Sequence, residues 1–533
     1  MTTLVADSGH TDVPPSRRAV GRGPRLAAAG VVVVLVAAVV LRFWARSPLW
    51  LDESQSVAIA RLPLFRGHGT TLWTGLRQDG SPPLYYLLLH GWIGLFGTSD
   101  GAVRALSGVL SLLSFPLLWR LARHLGSRRA ATASVLFFAV SPFAVRFATE
   151  TRMYSLLVLL ALIGGLALLR IIEKGPAPGA VVSLAVTSAA LALTHYWSFY
   201  LLVTVGMGLL VASVHAGTAV RRRCRWALES LLSGGILFIP WLPNFAYQLK
   251  HTGTPWGRPA GLSAVVHAFG EWAGGDSAAG RLLLLVLGAL LIFAVFGSAV
   301  DGRHVVLDLR GHDPGRFLLG ITLSTLVLAV VVGHLVGTAW ADRYTATAFV
   351  PFLIVAGLGV QALASAKVAT GFVAVACVLG LVASVPDIYT DRTDAGTVAA
   401  LVNARAKPGD ILLTCPDQLG PALSRVVRPG IPVLGIPTLQ PAGRVDWVDY
   451  AHRQKVADPA AMAAAAVARA GPTGTIFLAI NSSYRTYETL CPAMGAALAT
   501  LRPDAHVVKN DTNDAFEHAG LNIYLPTKPA AGG

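Results

Sequence analysis

The sequence predicts a mainly α fold, a polytopic transmembrane bundle of about 11 helices followed by an extracytoplasmic α/β domain. Three observations predict it. Of 533 residues, 54% are hydrophobic and 13% charged, roughly half the charge of a soluble globular chain, and the mean hydropathy is +0.59. The apolar residues come in runs of about 17–25, each long enough to cross a bilayer. After about Pro386 the apolar runs shrink to strand length while charges, prolines and turn residues rise.

Taken in order, residues 1–25 are polar and rich in Pro and Arg, and read as a disordered cytoplasmic N-terminus. The run from Leu26 to Trp44 is too long for the h-region of a cleaved signal and reads as a first span that stays. Further spans are expected at 104–122, 131–148, 153–171, 179–195, 198–216, 227–243, 281–300, 317–339, 344–365 and 368–386. Their orientation comes from short basic loops. With the N-terminus inside, Arg17, Arg18, Arg22 and Arg25 fall on the cytoplasmic side, as do Arg120, Arg123, Arg128 and Arg129, and then Arg221, Arg222, Arg223 and Arg225. The break at 301–316 and Lys367 fall there too. This distribution accounts for the net charge of +15 without a nucleic-acid partner, because membrane orientation explains the same cations.

Residues 26–386 thus form a membrane module with two long outer loops, 45–103 and 244–280. Within the first, the apolar stretch from Pro82 to Phe96 is short for a span and fits an interfacial or re-entrant helix. Residues 387–525 read as an extracytoplasmic α/β domain. Asp410–Thr414 and Gly474–Ile480 are strand candidates, Asp394–Ala406 and Pro459–Ala470 helix candidates, and 526–533 a disordered tail. Cys224 and Cys377 fall in a cytoplasmic loop and inside a helix. Cys415 and Cys491 both lie in the exported domain, which leaves a disulfide or two free thiols open. Neither pair has metal-ligand spacing.

Polar residues at membrane depth are costly, so those at helix ends are the first candidates for function. Leu49-Trp50-Leu51-Asp52-Glu53-Ser54 follows the first span. Adjacent positions on a helix point about 100° apart, so one of Asp52 and Glu53 can face a cavity as general base while the other braces. The alternative is two acids in the first turn of a helix. Asp79-Gly-Ser-Pro-Pro-Leu-Tyr-Tyr86 redirects the chain through two prolines. Tyr85 and Tyr86 then suit either an aromatic belt or contacts to a sugar or phosphate. In Glu150-Thr-Arg-Met-Tyr154, Glu150 and Tyr154 share a helical face and Arg152 points elsewhere; a structural ion pair is the competing reading. His195 closes one span, where a satisfied structural role is the commoner one. Arg343 and Tyr344 open another. A guanidinium there can grip a phosphate with two parallel hydrogen bonds or snorkel to lipid headgroups.

The order of these motifs resembles the GT-C superfamily of glycosyltransferases. They run from a post-helix-one Asp-Glu pair through Pro-Pro-Leu-Tyr-Tyr and Glu-x-Arg-x-Tyr to a late Arg-Tyr. Within the superfamily the chain is similar to the glycosyltransferase family 39-like branch, which holds protein O-mannosyltransferases and lipid A aminoarabinose transferase. The resemblance spans roughly residues 26–386. It implies an inverting transfer from a polyprenyl-phosphate-linked sugar at the outer face of the cell membrane. Asp52 would act as catalytic base with Glu53 as partner. Arg343 would hold the lipid phosphate, with Arg152 and Tyr86 next. The chain departs from the family in carrying Ser81 where His often precedes the double proline, and in lacking a repeat-fold lumenal domain. Its C-terminal domain resembles that of bacterial, actinobacterial relatives, which favours a cell-envelope glycan or glycolipid acceptor over a protein. Mannose is the sugar the family most often moves. No cofactor is assigned; the two acids offer a divalent cation an incomplete ligand set, and no metal site is assigned either. The rival readings are an envelope-glycan polymerase or ligase of the same architecture, and a lipid or solute transporter. A transporter would place charges and broken helices near the bilayer midplane, whereas these charges cluster at helix ends.

Overall fold

The computed structural model describes residues 22–65, 69–255, 257–301, 303–311, 313–481 and 483–526. The expected disorder of 1–21 and 527–533 lies outside the described residues. The expected N-terminal tail is shorter than its boundary at residue 25, because helix α1 already begins at Arg22 (Arg22–Leu41).

The first outer loop is largely helical, with α2 (Leu51–Ala60), α3 (Leu72–Asp79) and α4 (Leu84–Phe96). Pro83 stands at the N-cap of α4, a position whose missing N–H costs nothing. The bundle follows as α5 (Asp100–Leu125), α6 (Arg128–Val140), α7 (Pro142–Ala148), α8 (Tyr154–Lys174), α9 (Pro178–Thr194), α10 (Ser198–His215) and α11 (Thr218–Phe238). It continues through α12 (Leu242–His251), α13 (Ser263–Ala273), α14 (Ala278–Phe296), α15 (Asp313–Val336), α16 (Ala346–Ala362) and α17 (Ala366–Ala383). Among the described residues, eight helical stretches are long and apolar enough to cross a membrane, and α6 with α7, bent by 58°, makes a ninth. The two remaining expected spans are the shorter apolar helices Ala28–Leu41 and Pro178–Thr194.

Three sequence expectations need correction. The span expected at 131–148 is broken, since Pro142 starts a new helix and the Ser141 hydroxyl caps it by accepting from Ala144 N. The helix expected to stop at residue 243 instead runs on through a 3₁₀ turn, Ile239–Trp241, into α12, because Pro240 and Pro243 both occupy first-turn positions. The span expected at 281–300 stops as a helix at Phe296, and the polar break at 301–316 holds the second strand of a short antiparallel hairpin, β1 (Gly297–Ala299) with β2 (Val305–Leu307).

The helix break exposes carbonyls at the end of α6, and Arg42 takes them. Its fully buried guanidinium donates to Phe138 O (2.8 Å), Ala139 O (2.9 Å), Ala38 O (3.0 Å) and Ser111 Oγ (2.9 Å). Four of the five N–H groups of this buried cation are thus bonded, and it pins α1 to α5 and α6. At the centre lies α16, packed against α6 and α14 through glycines. A Cβ on Gly359 would stand 2.0 Å from Leu290 O, and one on Gly357 2.6 Å from Ala130 O. Such small residues let helices approach where the apolar effect cannot drive them together.

After the short helix α18 (Val385–Tyr389) the chain enters a mixed six-stranded sheet. Around it lie α19 (Ala395–Arg405), α20 (Gly420–Val426), α21 (Tyr450–Lys455), α22 (Pro459–Ala470) and α23 (Leu490–Leu501). The strands are β3 (Ile411–Cys415), β4 (Val433–Gly435), β5 (Gln440–Pro441), β6 (Ile476–Ile480), β7 (Ala505–Lys509) and β8 (Gly520–Tyr524), in the order β5-β4-β3-β6-β8-β7. β3 runs parallel to β4 and β6, and β8 antiparallel to β6 and β7. Every residue of β3 is buried, as expected of a strand covered on both faces. Cys415 at its end is bonded to Cys491 in α23, while Cys224 and Cys377 are buried free thiols.

This domain docks onto the loops at one end of the bundle. Arg392 donates to Thr149 O (2.9 Å) and Thr149 Oγ1 (2.8 Å), and Arg425 reaches Asp100 at 2.8 Å. Gln55 in α2 exchanges two hydrogen bonds with the Val445 backbone, at 2.8 and 2.9 Å.

Candidate active site

The site forms where α2, the α7–α8 junction and the entry to α16 meet beneath the C-terminal domain. Helix α2 starts directly after Trp50, and its two acids diverge as neighbouring helical positions must. Glu53 turns inward and is fully buried. Its carboxylate takes both arms of Arg104, Nε at 2.8 Å and Nη2 at 2.6 Å, and accepts from Thr151 N at 2.9 Å. Arg104 also donates to Ser47 O at 2.7 Å and Pro48 O at 3.2 Å. The pair therefore staples α5 to the start of α2 and the α7–α8 junction. Removing one member leaves the other charge buried and uncompensated, a loss of about 3–5 kcal/mol. Glu53→Ala is thus expected to lower the thermal unfolding midpoint sharply, whereas the double exchange Glu53→Met with Arg104→Met should recover most of it. Unfolding of the purified protein in detergent measures both.

Asp52 points the other way, its side chain 18% exposed. Two guanidiniums face it. Arg343 Nη2 lies 3.6 Å and Arg152 Nε 3.9 Å from Asp52 Oδ2. These are ion-pair distances, longer than a charge-assisted hydrogen bond. Two cations thus converge on one carboxylate. Each is fixed separately. Arg152 Nη1 donates to Ser56 Oγ (3.0 Å) and Tyr86 OH (3.3 Å). Arg343 sits over the Trp50 and Tyr344 rings, 5.7 and 5.3 Å from their centroids, contacts that favour a cation electrostatically. The Tyr86 hydroxyl in turn donates to Asp79 at 2.9 Å, and Gln55 holds the other Asp79 oxygen at 3.0 Å. An anion entering beside Asp52 would meet both guanidiniums at once.

The remaining expected residues divide into two groups. His195 packs on Tyr344 (4.8 Å between ring centroids) and Tyr154 (6.1 Å), and so joins the wall below Arg343. Tyr85 and Glu150 stand apart. Tyr85 is buried, with its hydroxyl 3.4 Å from Ser107 Oγ. Glu150 is buried beside Arg146 at 3.9 Å, and Arg146 also faces Asp387 at 3.6 Å. Among the described residues no group of three or more His, Cys, Asp or Glu side chains could hold a metal ion. Asp52 and Glu53 diverge, so they do not form one ligand pair.

Two contributions from the C-terminal domain have no signal in the sequence. Phe516 packs edge-on against Trp50 at 5.2 Å, and buried Glu517 accepts from Leu51 N at 3.3 Å. The latter bond caps the first turn of α2, the turn that carries Asp52. Burial, with Asp52 and Asp394 nearby, pushes the Glu517 carboxyl up to about 8. A carboxyl raised above its unfolded value contributes stability below that unfolded value and loses it as pH rises toward the folded one. Wild-type stability is therefore expected to fall between about pH 4.5 and 8 relative to Glu517→Gln. Unfolding midpoints of the two proteins across that range measure the slope; parallel profiles would contradict it.

Comparison with known proteins bears on the fold. Residues 80–243 match the family model for dolichyl-phosphate-mannose-protein mannosyltransferase. No curated protein matches the whole sequence closely enough to count as a relative. ArnT from Cupriavidus metallidurans in the apo state superposes with a TM-score of 0.57 at 14% identity, over 93% of this chain and 98% of that one. The same protein bound to undecaprenyl phosphate gives 0.55 at 14% identity, over 95% and 98%. The chain has the GT-C fold. It is a multi-pass membrane protein of that architecture, and the match extends beyond the bundle into the C-terminal domain.

Proposed function

We propose that this GT-C chain is a membrane glycosyltransferase. It moves a sugar, mannose by preference, from a polyprenyl-phosphate donor to a cell-envelope glycan or glycolipid at the outer face, with inversion at the anomeric carbon. The observation that carries this reading is the Asp52 carboxylate facing Arg343 and Arg152 at 3.6 and 3.9 Å. Transfer from a lipid phosphate needs a base for the attacking hydroxyl and fixed positive charge for the departing phosphate. Asp52 supplies the first, and Arg343 with Arg152 the second. In the reaction the acceptor oxygen attacks the anomeric carbon from the face opposite the phosphate. Its proton passes to an Asp52 oxygen, the bond from the anomeric carbon to the phosphate oxygen breaks, and its electron pair leaves on the phosphate between the two guanidiniums. Tyr86 holds Arg152 in place and is itself held by Asp79. His195, Tyr154 and Tyr344 line the side on which the sugar or the start of the lipid lies. The family match over 80–243 supports a mannosyl-phospholipid donor, and the likeness to ArnT, solved with undecaprenyl phosphate, supports a polyprenyl carrier.

The orientation that follows puts the N-terminus in the cytoplasm and the C-terminal domain outside. The anomeric configuration of the product, read by NMR after transfer from a donor of known configuration, tests the mechanism. Inversion agrees with a single displacement by an Asp52-activated hydroxyl; retention would contradict it.

A further inference from the structure

The stretch 390–394 joins the membrane module to the C-terminal sheet, between α18 and α19. Arg392 within it is 5% exposed and reaches the α1–α2 turn, the β7–β8 loop and the α7–α8 junction. Its backbone N–H donates to Ser47 Oγ at 2.8 Å, and its carbonyl accepts from Glu517 N at 2.9 Å. Asp394 N donates back to Glu517 O at 3.0 Å, and Thr393 pairs with Glu517 in a parallel bridge. The Arg392 guanidinium then meets the bundle, Nη1 donating to Thr149 O (2.9 Å) and Nη2 to Thr149 Oγ1 (2.8 Å).

Each side of this bridge leads to a residue of the reaction centre. Glu517 accepts from Leu51 N at 3.3 Å, so its place bears on the first turn of α2, where Asp52 sits. Thr149 is the C-cap of α7, and the chain then runs outside a helix through 149–153 to the start of α8. That segment carries Arg152. With no helical ladder of its own, its course depends on what holds it. Thr151 N donates to Glu53 Oε1 at 2.9 Å, and Ser107 Oγ donates to Arg152 O at 3.2 Å. Arg392 holds the point at which it starts. Charge acts in the same direction, because the buried guanidinium attracts the buried carboxylates of Glu53 and Glu150.

We infer that Arg392 is a positioning residue that sets the spacing between Asp52 and Arg152, a reading that rests on the transferase function proposed above. It places the base through its main chain and Glu517, and the cation through its side chain and Thr149. The Asp52 and Arg152 side chains stand 3.9 Å apart, longer than a hydrogen bond, so the segments that carry them govern the distance. Ser56 and Tyr86 orient the Arg152 guanidinium, while Arg392 fixes the backbone from which it extends. Reacting groups are sensitive to such placement, since a shift of about 1 Å can cost about 10²-fold in rate. A contact that merely joined the two domains would lower stability and leave turnover per folded molecule unchanged.

The experiment measures steady-state turnover of polyprenyl-phosphate-mannose and polyprenyl-phosphate-arabinose, together with unfolding midpoints, on the purified full chain in detergent. Wild type is compared with Arg392→Ala, Arg392→Lys and Arg425→Ala. Arg425 is a second tie between the domains, but its partners Thr98 O and Asp100 belong to neither segment of the site. Arg392→Ala is expected to lower kcat per folded molecule about 10–100-fold, with the donor KM moving less. Arg392→Lys keeps the charge and a donor for Thr149 O but not the planar fork, and should recover part of the loss. Arg425→Ala should leave kcat unchanged. Thr149→Val serves if Arg392→Ala does not fold. It keeps the shape of the side chain without the hydroxyl that Nη2 bonds, and should lower kcat in the same direction by less. Wild-type kcat in the folded variants of Arg392 or Thr149, or an equal fall in Arg425→Ala, would overturn the inference and leave the transferase reading intact. If wild type turns over neither donor, the transferase reading fails, and a crystal structure of the Arg392→Ala or Thr149→Val protein decides the positioning. Asp52 and Arg152 drawn apart from 3.9 Å by about 1 Å or more would support it; an unchanged distance would overturn it.

Discussion

Asp52→Asn is expected to lower kcat about 10²–10⁴-fold, the range that a positioned general base contributes, with the donor KM nearly unchanged. The amide keeps the size of the carboxylate and its place between Arg152 and Arg343 but cannot take the acceptor proton. Because the base acts only in the transition state, kcat and kcat/KM should fall together. The alternative role for Asp52, a counter-ion that merely orders the two arginines 3.6 and 3.9 Å away, predicts a different split. Freeing the arginines would then alter donor binding, and KM would move while kcat held. Steady-state turnover against donor concentration separates the two. Glu53→Gln gives the contrast, since Glu53 is occupied by Arg104 and Thr151 N, so its loss should show in the unfolding midpoint more than in the chemistry of the surviving folded protein.

Arg343→Ala is expected to cost about 10²–10³-fold in kcat, as when one preorganised charge stabiliser is removed from a water-poor site. Arg343 faces Asp52 and lies over Trp50 and Tyr344, so its charge is aimed before any donor arrives. Arg343→Lys should recover only part of the loss. An ammonium supplies the charge but neither the planar fork nor the stacking on two rings. The corresponding Arg152→Ala effect should be mixed, because Arg152 also braces Ser56 and Tyr86, and stability falls with activity. A lysine variant of Arg343 with full activity would show that geometry at this position is unimportant.

Much of this was legible in the sequence for a physical reason. Membrane spans must satisfy their own backbone and stay apolar, so their runs stand out, and charges retained beside them are few enough to name. Asp52, Arg152, Tyr86 and Arg343 come from four separate segments of the sequence and meet in one cluster. The divergence of Asp52 and Glu53 was readable as helical geometry, but which acid turns inward and which faces the two guanidiniums depends on Arg104, a residue of α5 that the motifs did not single out. The break between α6 and α7 was hidden because the apolar run continues across Pro142, and only the bend shows that the helix does not. The contribution of Glu517 was not legible at all. It meets Leu51 across 466 residues of chain, and a lone acid near the end of an α/β domain carries no local pattern.

The most direct test of the central claim is sugar release from polyprenyl-phosphate-mannose and polyprenyl-phosphate-arabinose by purified protein, with wild type compared against Asp52→Ala and Arg343→Ala. Turnover of one donor by wild type, abolished in the first variant and strongly reduced in the second, is the predicted result, and the donor used would name the sugar. Folded wild-type protein that neither binds nor turns over a lipid-phosphate sugar would contradict the account and make transport the reading to pursue.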